Sequence, residues 1–129
     1  MNVLSLFSGV GGADLGLERA GMEIIGQCEV NASARKILER HWPDVPLSED
    51  ITQLDEDWLL SHGIATRNHP AEGKTVDLVV GGFPCQDPDP NPPPDTPRYH
   101  QMGNAITVPV AEWIGQRILD QNRKGDQTK

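Results

Sequence analysis

Aromatic side chains are scarce in this chain: two phenylalanines, three tryptophans and one tyrosine among 129 residues, so the 36% hydrophobic content is mostly aliphatic. A core built from it is modest, and the length suits one domain and hardly two. Cysteine is scarce as well. Cys28 and Cys85 make no disulfide framework, and a reducing cytoplasm is the expected compartment. No apolar run approaches the roughly 20 residues of a membrane span. The first residues, MNVLSLFSG, lack the basic region and long apolar stretch of a secretory signal. Neither a membrane partner nor a metal site is expected. Positive charge is lacking too, since the formal net charge is −8. A protein that grips a nucleic-acid backbone unaided shows a basic stripe. Here Arg35, Lys36 and Arg40 fall on one expected helix and Arg123–Lys124 near the end. That argues against autonomous, tight DNA binding, but not against a small cofactor or a protein partner.

What is present is an alternation. Val3–Phe7 is a short apolar run ended by Ser8-Gly9 and reads as a buried strand. Ala13–Ala20 follows as a short helix closed by Gly21. Glu23–Cys28 is a second strand, and Asn31 caps a helix over Ala32–His41 whose Ala34, Ile37, Leu38 and His41 share a face. Val45–Leu47 makes a minimal third strand. Leu54–His62 is a helix, Asn68–Lys74 a polar loop and Val76–Val80 the clearest strand. This order predicts a parallel sheet with crossover helices. Seven of the eleven prolines then fall between Pro84 and Pro97, which excludes a helix or central strand and favours an extended run. Val108–Leu119 has helical spacing, with Val110, Trp113, Ile114, Arg117 and Ile118 on one side, and Asp120–Lys129 is a polar tail expected to fray.

Four stretches carry chemistry. In Leu6–Gly21, LFSGVGGADLGLERAG, a glycine turn opens a helix whose N-terminus faces any ligand above the strand. The dinucleotide pattern G-x-G-x-x-G fails, because Asp14 stands where the third glycine would be, so nicotinamide and flavin are disfavoured. An ordinary glycine turn is the plain alternative. Glu29 ends the second strand, beside that turn, and can accept both hydroxyls of a ribose; alone it is a solvated loop acid. Asp50-Ile51 could pair with an adenine amino group and cover its ring, or Asp50 could simply cap a helix. Gly82–Gln86, GFPCQ, presents Cys85 just past a parallel strand, where a thiolate of lowered pKa is a strong nucleophile. Cys28, inside a strand, reads as core. Gly103-Asn104-Ala105 opens a turn before the last helix, and Asn104 could cap it or bond a ligand.

In combination these segments resemble the DNA cytosine-5 methyltransferases. Phe7–Gly12 looks like the family's first cofactor motif, Glu29 matches its ribose acid, Asp50-Ile51 its adenine-side pair and Pro84-Cys85-Gln86 its catalytic Pro-Cys-Gln. Gly103–Ala105 with Val108-Pro109 matches its last motif. The resemblance implies S-adenosylmethionine as cofactor, lined by Phe7, Gly9, Gly11, Glu29, Asp50, Ile51, Asn104 and Val108. It implies Cys85 as the nucleophile that attacks cytosine C6 so that C5 takes the methyl group, on a base flipped from the duplex. It also implies DNA methylation in restriction–modification systems of bacteria or phage. The last helix should pack beside the first, since Asn104 and Phe7 would share one ligand.

The chain departs from the family in the middle. Fewer than twenty residues separate Cys85 from Gly103, and neither a Glu-Asn-Val nor a Gln-x-Arg-x-Arg sequence occurs. The resemblance therefore implies a member with an internal deletion that removes the target-recognition region and most of the DNA cradle. Residues 1–87 form the N-terminal part of the catalytic domain, 88–97 a proline-rich junction, 98–119 the segment completing that domain and 120–129 the tail. The expected fold is α/β: a Rossmann-like, three-layer α/β/α methyltransferase fold with a truncated parallel sheet of about four strands. Val76–Val80 lies at its edge, a pairing liability. DNA is the implied partner, held weakly or not at all by this chain alone, and a complementing methyltransferase chain is a second. The alternatives are a module that holds S-adenosylmethionine without turnover, half of a split enzyme, and a decayed remnant.

Overall fold

The computed structural model describes residues 1–66, 69, 73–82 and 108–126. Its centre is β1 (Asn2–Leu6), whose Val3, Leu4 and Ser5 are all buried. A strand covered on both faces must be apolar at successive positions, which is why this segment reads as a run and not as an alternation. β2 (Glu23–Cys28) is buried from Ile24 onward for the same reason. Between them α1 (Gly12–Arg19) crosses over. Beyond β2, α2 (Ala32–His41) starts where the Asn31 side chain accepts from the amides of Ser33 and Ala34, each at 3.0 Å. β3 (Leu47–Ser48) follows, then a 3-10 turn (Ile51–Gln53), α3 (Glu56–Ser61), β4 (Ile64–Ala65), β5 (Lys74–Thr75), β6 (Leu78–Gly81) and α4 (Val108–Asp126).

All pairing among the described residues is parallel. The main sheet has four strands in the order β3-β2-β1-β6, and β4 and β5 form a separate two-stranded ladder. β1 therefore pairs forward in sequence on one side and with the late strand β6 on the other. That reversal of strand order is where open α/β sheets bind ligands, outside the carboxyl ends of the strands. The four-strand parallel sheet with flanking helices is the expected α/β architecture, and β6 is an edge among the described residues. Val79 on that edge is 55% exposed.

The boundaries moved where local chemistry overrode the apolar pattern. The third strand is Leu47–Ser48 rather than Val45–Leu47, because Val45 turns to pack against the cluster of Val3, Leu17, Met22 and Ile24. The helix expected over Leu54–His62 is shorter, since Asp55 caps it by accepting from the Trp58 amide at 2.9 Å. The strand expected at Val76–Val80 runs over Leu78–Gly81. The polar loop expected at Asn68–Lys74 falls partly outside the described residues, and Lys74 belongs to β5. The tail is helical through Asp126 instead of ending at Leu119.

One feature of β2 was invisible in its sequence. The β1–β2 register shifts between Val3 and Leu4, so that Val3 pairs with Ile24 but Leu4 with Gly26. The extra residue is a β-bulge, which re-aims the side chains beyond it. As a result Ile24 joins Leu17 of α1 in the core while Gln27, three residues on, also reaches α1.

α4 packs beside α1, as the two ends of the chain were expected to do. Trp113 (58% exposed), Val110 and Ile114 point outward, with Arg117 stacked over the Trp113 ring at 5.2 Å. Ala111 and Gly115 are buried, and Ile118 and Leu119 pack on the core cluster. The cause is the closeness of the crossing. A β-carbon on Gly16 would lie 2.4 Å from the Ala111 Cβ and 2.6 Å from the Val108 carbonyl oxygen. One on Gly115 would lie 2.8 Å from the Ala20 Cβ. Only small residues fit between the axes, and the large apolar ones are excluded. Gly16→Ala should therefore destabilise the fold by about 1–3 kcal/mol through overpacking, despite the ~1 kcal/mol that alanine gains in helix propensity. Gly125→Ala, with nothing within 4 Å of its added carbon, should be neutral or slightly stabilising. Urea midpoints of the two variants check this, and equal shifts would rule out the tight α1–α4 crossing.

Candidate functional site

At the carboxyl end of β1 the chain makes a strained turn. Phe7 has φ 55°, Gly9 φ 56° and Gly11 φ 83°. Left-handed backbone is easy for glycine and costly for phenylalanine, so the surroundings must hold Phe7 there. Some of that support is on view. A β-carbon on Gly81, the last residue of β6, would lie 3.6 Å from Phe7 Cδ2, so the ring sits over the end of the neighbouring strand. The Gly11 amide donates to the Ser8 carbonyl at 3.0 Å. Below Gly11 lies Trp42, whose ring atoms would be 2.4 and 2.6 Å from an added β-carbon. Nothing in the spacing of Trp42 from the turn signalled this.

Glu29 joins the turn to the second strand. It is 8% exposed, its Oε2 accepts from the Gly9 amide at 2.7 Å and its Oε1 from the Asn31 amide at 2.8 Å. The Glu29 amide in turn donates to the Ser48 carbonyl at 3.0 Å, which carries the edge on to β3. Val30, next in the chain, is 73% exposed, and Ile51, past β3, is 39% exposed. Asp50 takes the plain role left open for it: its Oδ1 accepts from the Thr52 amide at 2.8 Å and the Thr52 hydroxyl at 2.7 Å. Those bonds, the hydroxyl's first, hold its carboxyl below the ordinary range.

Under the turn lies a polar network that sequence reasoning missed. Asp14 is fully buried, and its carboxylate accepts from the Ser5 hydroxyl and from the Gln27 side-chain amide, each at 2.6 Å. Ser8 donates to the Ser5 hydroxyl at 2.9 Å. Asp14 had been noted only as the residue that breaks the dinucleotide pattern. In its place a third glycine would let helix and strand touch; the aspartate bonds them instead. Burial raises the Asp14 carboxyl above its usual range, the Ser5 and Gln27 bonds oppose the rise, and Glu18 adds to it. Burial also pushes the Cys28 thiol up, with Ser48 opposing and Glu29 and Asp50 assisting, so Cys28 is an inert core residue, as expected.

The structure thus brings Phe7, Gly9, Gly11 and Glu29 together, with Asp50 and Ile51 two strands along the same edge. Val108 starts α4 against Gly16 of α1. Cys85 and Asn104 lie outside the described residues. The first turn of α1 is open in one respect: its N-cap, Gly11, offers no side-chain bond, so the unpaired amides that begin any helix lack an internal partner there.

Comparison with known proteins follows the same boundary. The family model of the C-5 cytosine-specific DNA methylase matches residues 1–88. The chain is similar to the type II methyltransferase M2.BsuMI of Bacillus subtilis, 37% identical over 87 residues, covering 67% of this chain and 18% of that protein. It is similar to M.AquIA of Picosynechococcus, 39% identical over 85 residues, covering 65% of this chain and 32% of that one. Among solved structures it resembles a putative DNA modification methyltransferase encoded within an Escherichia coli prophage. The TM-score is 0.52 and the identity 29%, over 67% of this chain and 23% of that chain. The chain therefore spans a third or less of the length of these relatives. The likeness of Gly103–Ala105 and Val108-Pro109 to the last family motif lies beyond the matched residues.

Asp14 gives the site a testable pH dependence. Its folded carboxyl keeps its proton to higher pH than the ordinary 3.8. Between those values the folded state binds more protons than the unfolded chain, so stability falls as pH rises through that window. Wild type should gain stability relative to Asp14→Asn as pH is lowered from 7 toward 4. Urea unfolding at a series of pH values measures the difference, and a constant or opposite difference would overturn the assignment.

Proposed function

The chain belongs to the C-5 cytosine-specific DNA methylase family, and we propose that it binds S-adenosylmethionine at the carboxyl edge of β1, β2 and β3 and carries the nucleophile for methylation of cytosine in DNA. The observation that carries the reading is the fixed carboxylate of Glu29. Two backbone amides hold it, and a carboxylate has about four acceptor sites, so it can still accept two ribose hydroxyls without moving. The neighbouring groups fit the rest of the cofactor. Exposed Val30 and Ile51 offer apolar surface for a purine. Asp50 bonds Thr52 through Oδ1 alone, which leaves Oδ2 for an exocyclic amine. The uncapped N-terminus of α1 suits a carboxylate, and Asn104 and Val108 would close that end.

The bound cofactor supplies an electrophilic methyl group on a sulfonium. Cys85 follows Gly81, the last residue of β6, by four residues. Its thiolate adds to cytosine C6, the electron pair moves to C5, C5 takes the methyl group, and loss of the C5 proton expels the thiolate. The inert Cys28 leaves Cys85 as the chain's candidate nucleophile. Binding DNA is another matter. The base must be flipped at a cost of a few kcal/mol, an acidic surface slows encounter with a polyanion, and the net charge is −8. A complementing chain, acting with this one in the cytoplasm, supplies the grip and the acid–base glutamate of the Glu-Asn-Val motif that the family resemblance implies and this sequence lacks. A module that holds the cofactor without turnover is the second reading, favoured by the same acidity.

Calorimetry with S-adenosylmethionine should show weak binding, and Glu29→Ala should reduce affinity about tenfold or more. No heat at millimolar cofactor would reject the cofactor site. With labelled methyl donor the isolated chain should leave cytosine-containing duplex DNA unmodified, since losing an acid–base partner alone removes ~10²–10⁴ in rate. Robust transfer that disappears in Cys85→Ala would show that the chain needs no partner.

A further inference from the structure

Arg35 projects from the first turns of α2 and does three things at once. One guanidinium nitrogen, Nη1, donates to the Glu29 carbonyl at 3.2 Å and to the Val30 carbonyl at 2.5 Å. The other, Nη2, pairs with Glu49 at 3.1 Å. The two carbonyls belong to the loop that carries Glu29, and Glu49 immediately precedes Asp50. A single side chain thus spans the loop after β2 and the loop after β3. We infer that Arg35 is a positioning residue that fixes the two halves of the nucleoside site in one register. The inference rests on the cofactor reading given above.

The physical case is geometric. A planar guanidinium has donors in a fixed fork and can serve two acceptors in one loop and one in another, whereas an ammonium is a point charge on a flexible stem. The Arg35 side chain is 21% exposed, but Glu49 is 71% exposed. An exposed ion pair contributes little by itself, so the carbonyl bonds carry most of the hold and the Glu49 bond sets the relative position of the second loop. Across that joint the Glu29 amide already donates to the Ser48 carbonyl, and within the second loop the Ser48 hydroxyl donates to the Asp50 carbonyl. The first bond fixes the strands side by side at one point, and Arg35 adds the tie between residues 29–30 and Glu49. No chemistry is assigned to the guanidinium.

The test uses the full chain and two readouts. Affinity for S-adenosylhomocysteine is measured by calorimetry, and hydrogen–deuterium exchange is followed in ligand-free protein over residues 28–31 and 47–52. Arg35→Gln should weaken binding about tenfold and speed exchange in both segments. Lys36→Gln, which removes the same charge from the next residue, should do neither. Arg35→Lys should behave nearer to Arg35→Gln than to wild type, because charge without the fork is not enough. Glu49→Gln, at an exposed position that folding tolerates, should cost about twofold and loosen only residues 47–52; it decides the matter if Arg35→Gln does not fold. Binding by wild type together with unchanged affinity and exchange in both Arg35→Gln and Glu49→Gln would overturn the positioning role. Absence of binding by wild type would overturn the cofactor reading instead, while exchange still shows whether Arg35 ties the loops.

Discussion

A single buried carboxylate decides how the front of this molecule is built. Asp14 sits on α1, accepts from Ser5 on β1 and from Gln27 on β2, and has no exposed surface. Removing a charge from water is expensive, and it is tolerated only where donors replace the lost hydration. Both donors must arrive from different strands, so the carboxylate fixes the crossing of α1 over β1 and β2 at one point. Gln27 can arrive only because the bulge in β2 turns it to the α1 side. Ser8 hangs from the same network through Ser5. The glycine turn, with Phe7 in left-handed backbone, is therefore anchored from beneath by polar bonds and from the side by Trp42.

That arrangement explains why the sequence was legible in part. Strand and helix order followed from apolar runs and breakers, and Asn31 announced its own cap. The turn, Glu29 and Asp50 stood at the ends of those runs, where ligands are met in parallel sheets. What could not be read were decisions made between elements. A bulge leaves no mark in EIIGQC. Helical spacing finds the apolar stripe of Val110, Trp113, Ile114 and Ile118 but not which residues dock, because the crossing distance set by Gly16 selects the smallest side chains. The roles of Trp42 and Arg35 left no local mark because their partners, Gly11 and the Glu29 and Val30 carbonyls, are set by tertiary structure. Asp50 illustrates the converse: its local role as a cap was readable from the sequence, and the structure shows that role directly.

The groups that hold the carboxyl edge of β1, β2 and β3 in shape are, among the described residues, nearly all contributed by residues 5–50. Ser5 and Gln27 both bond Asp14, Arg35 and Ser48 both bond Glu29, and Trp42 packs on Gly11. The turn and the Glu29 loop are thus held in shape in a chain that spans only 18–32% of two of its relatives. The edge strand β6 has no such closure. It pairs with β1 alone among the described residues, and its Val79 is largely exposed. The turn and the Glu29 loop draw their support from β1, β2 and β3, and β6 adds to it through its ladder with β1 and the approach of Gly81 to the Phe7 ring.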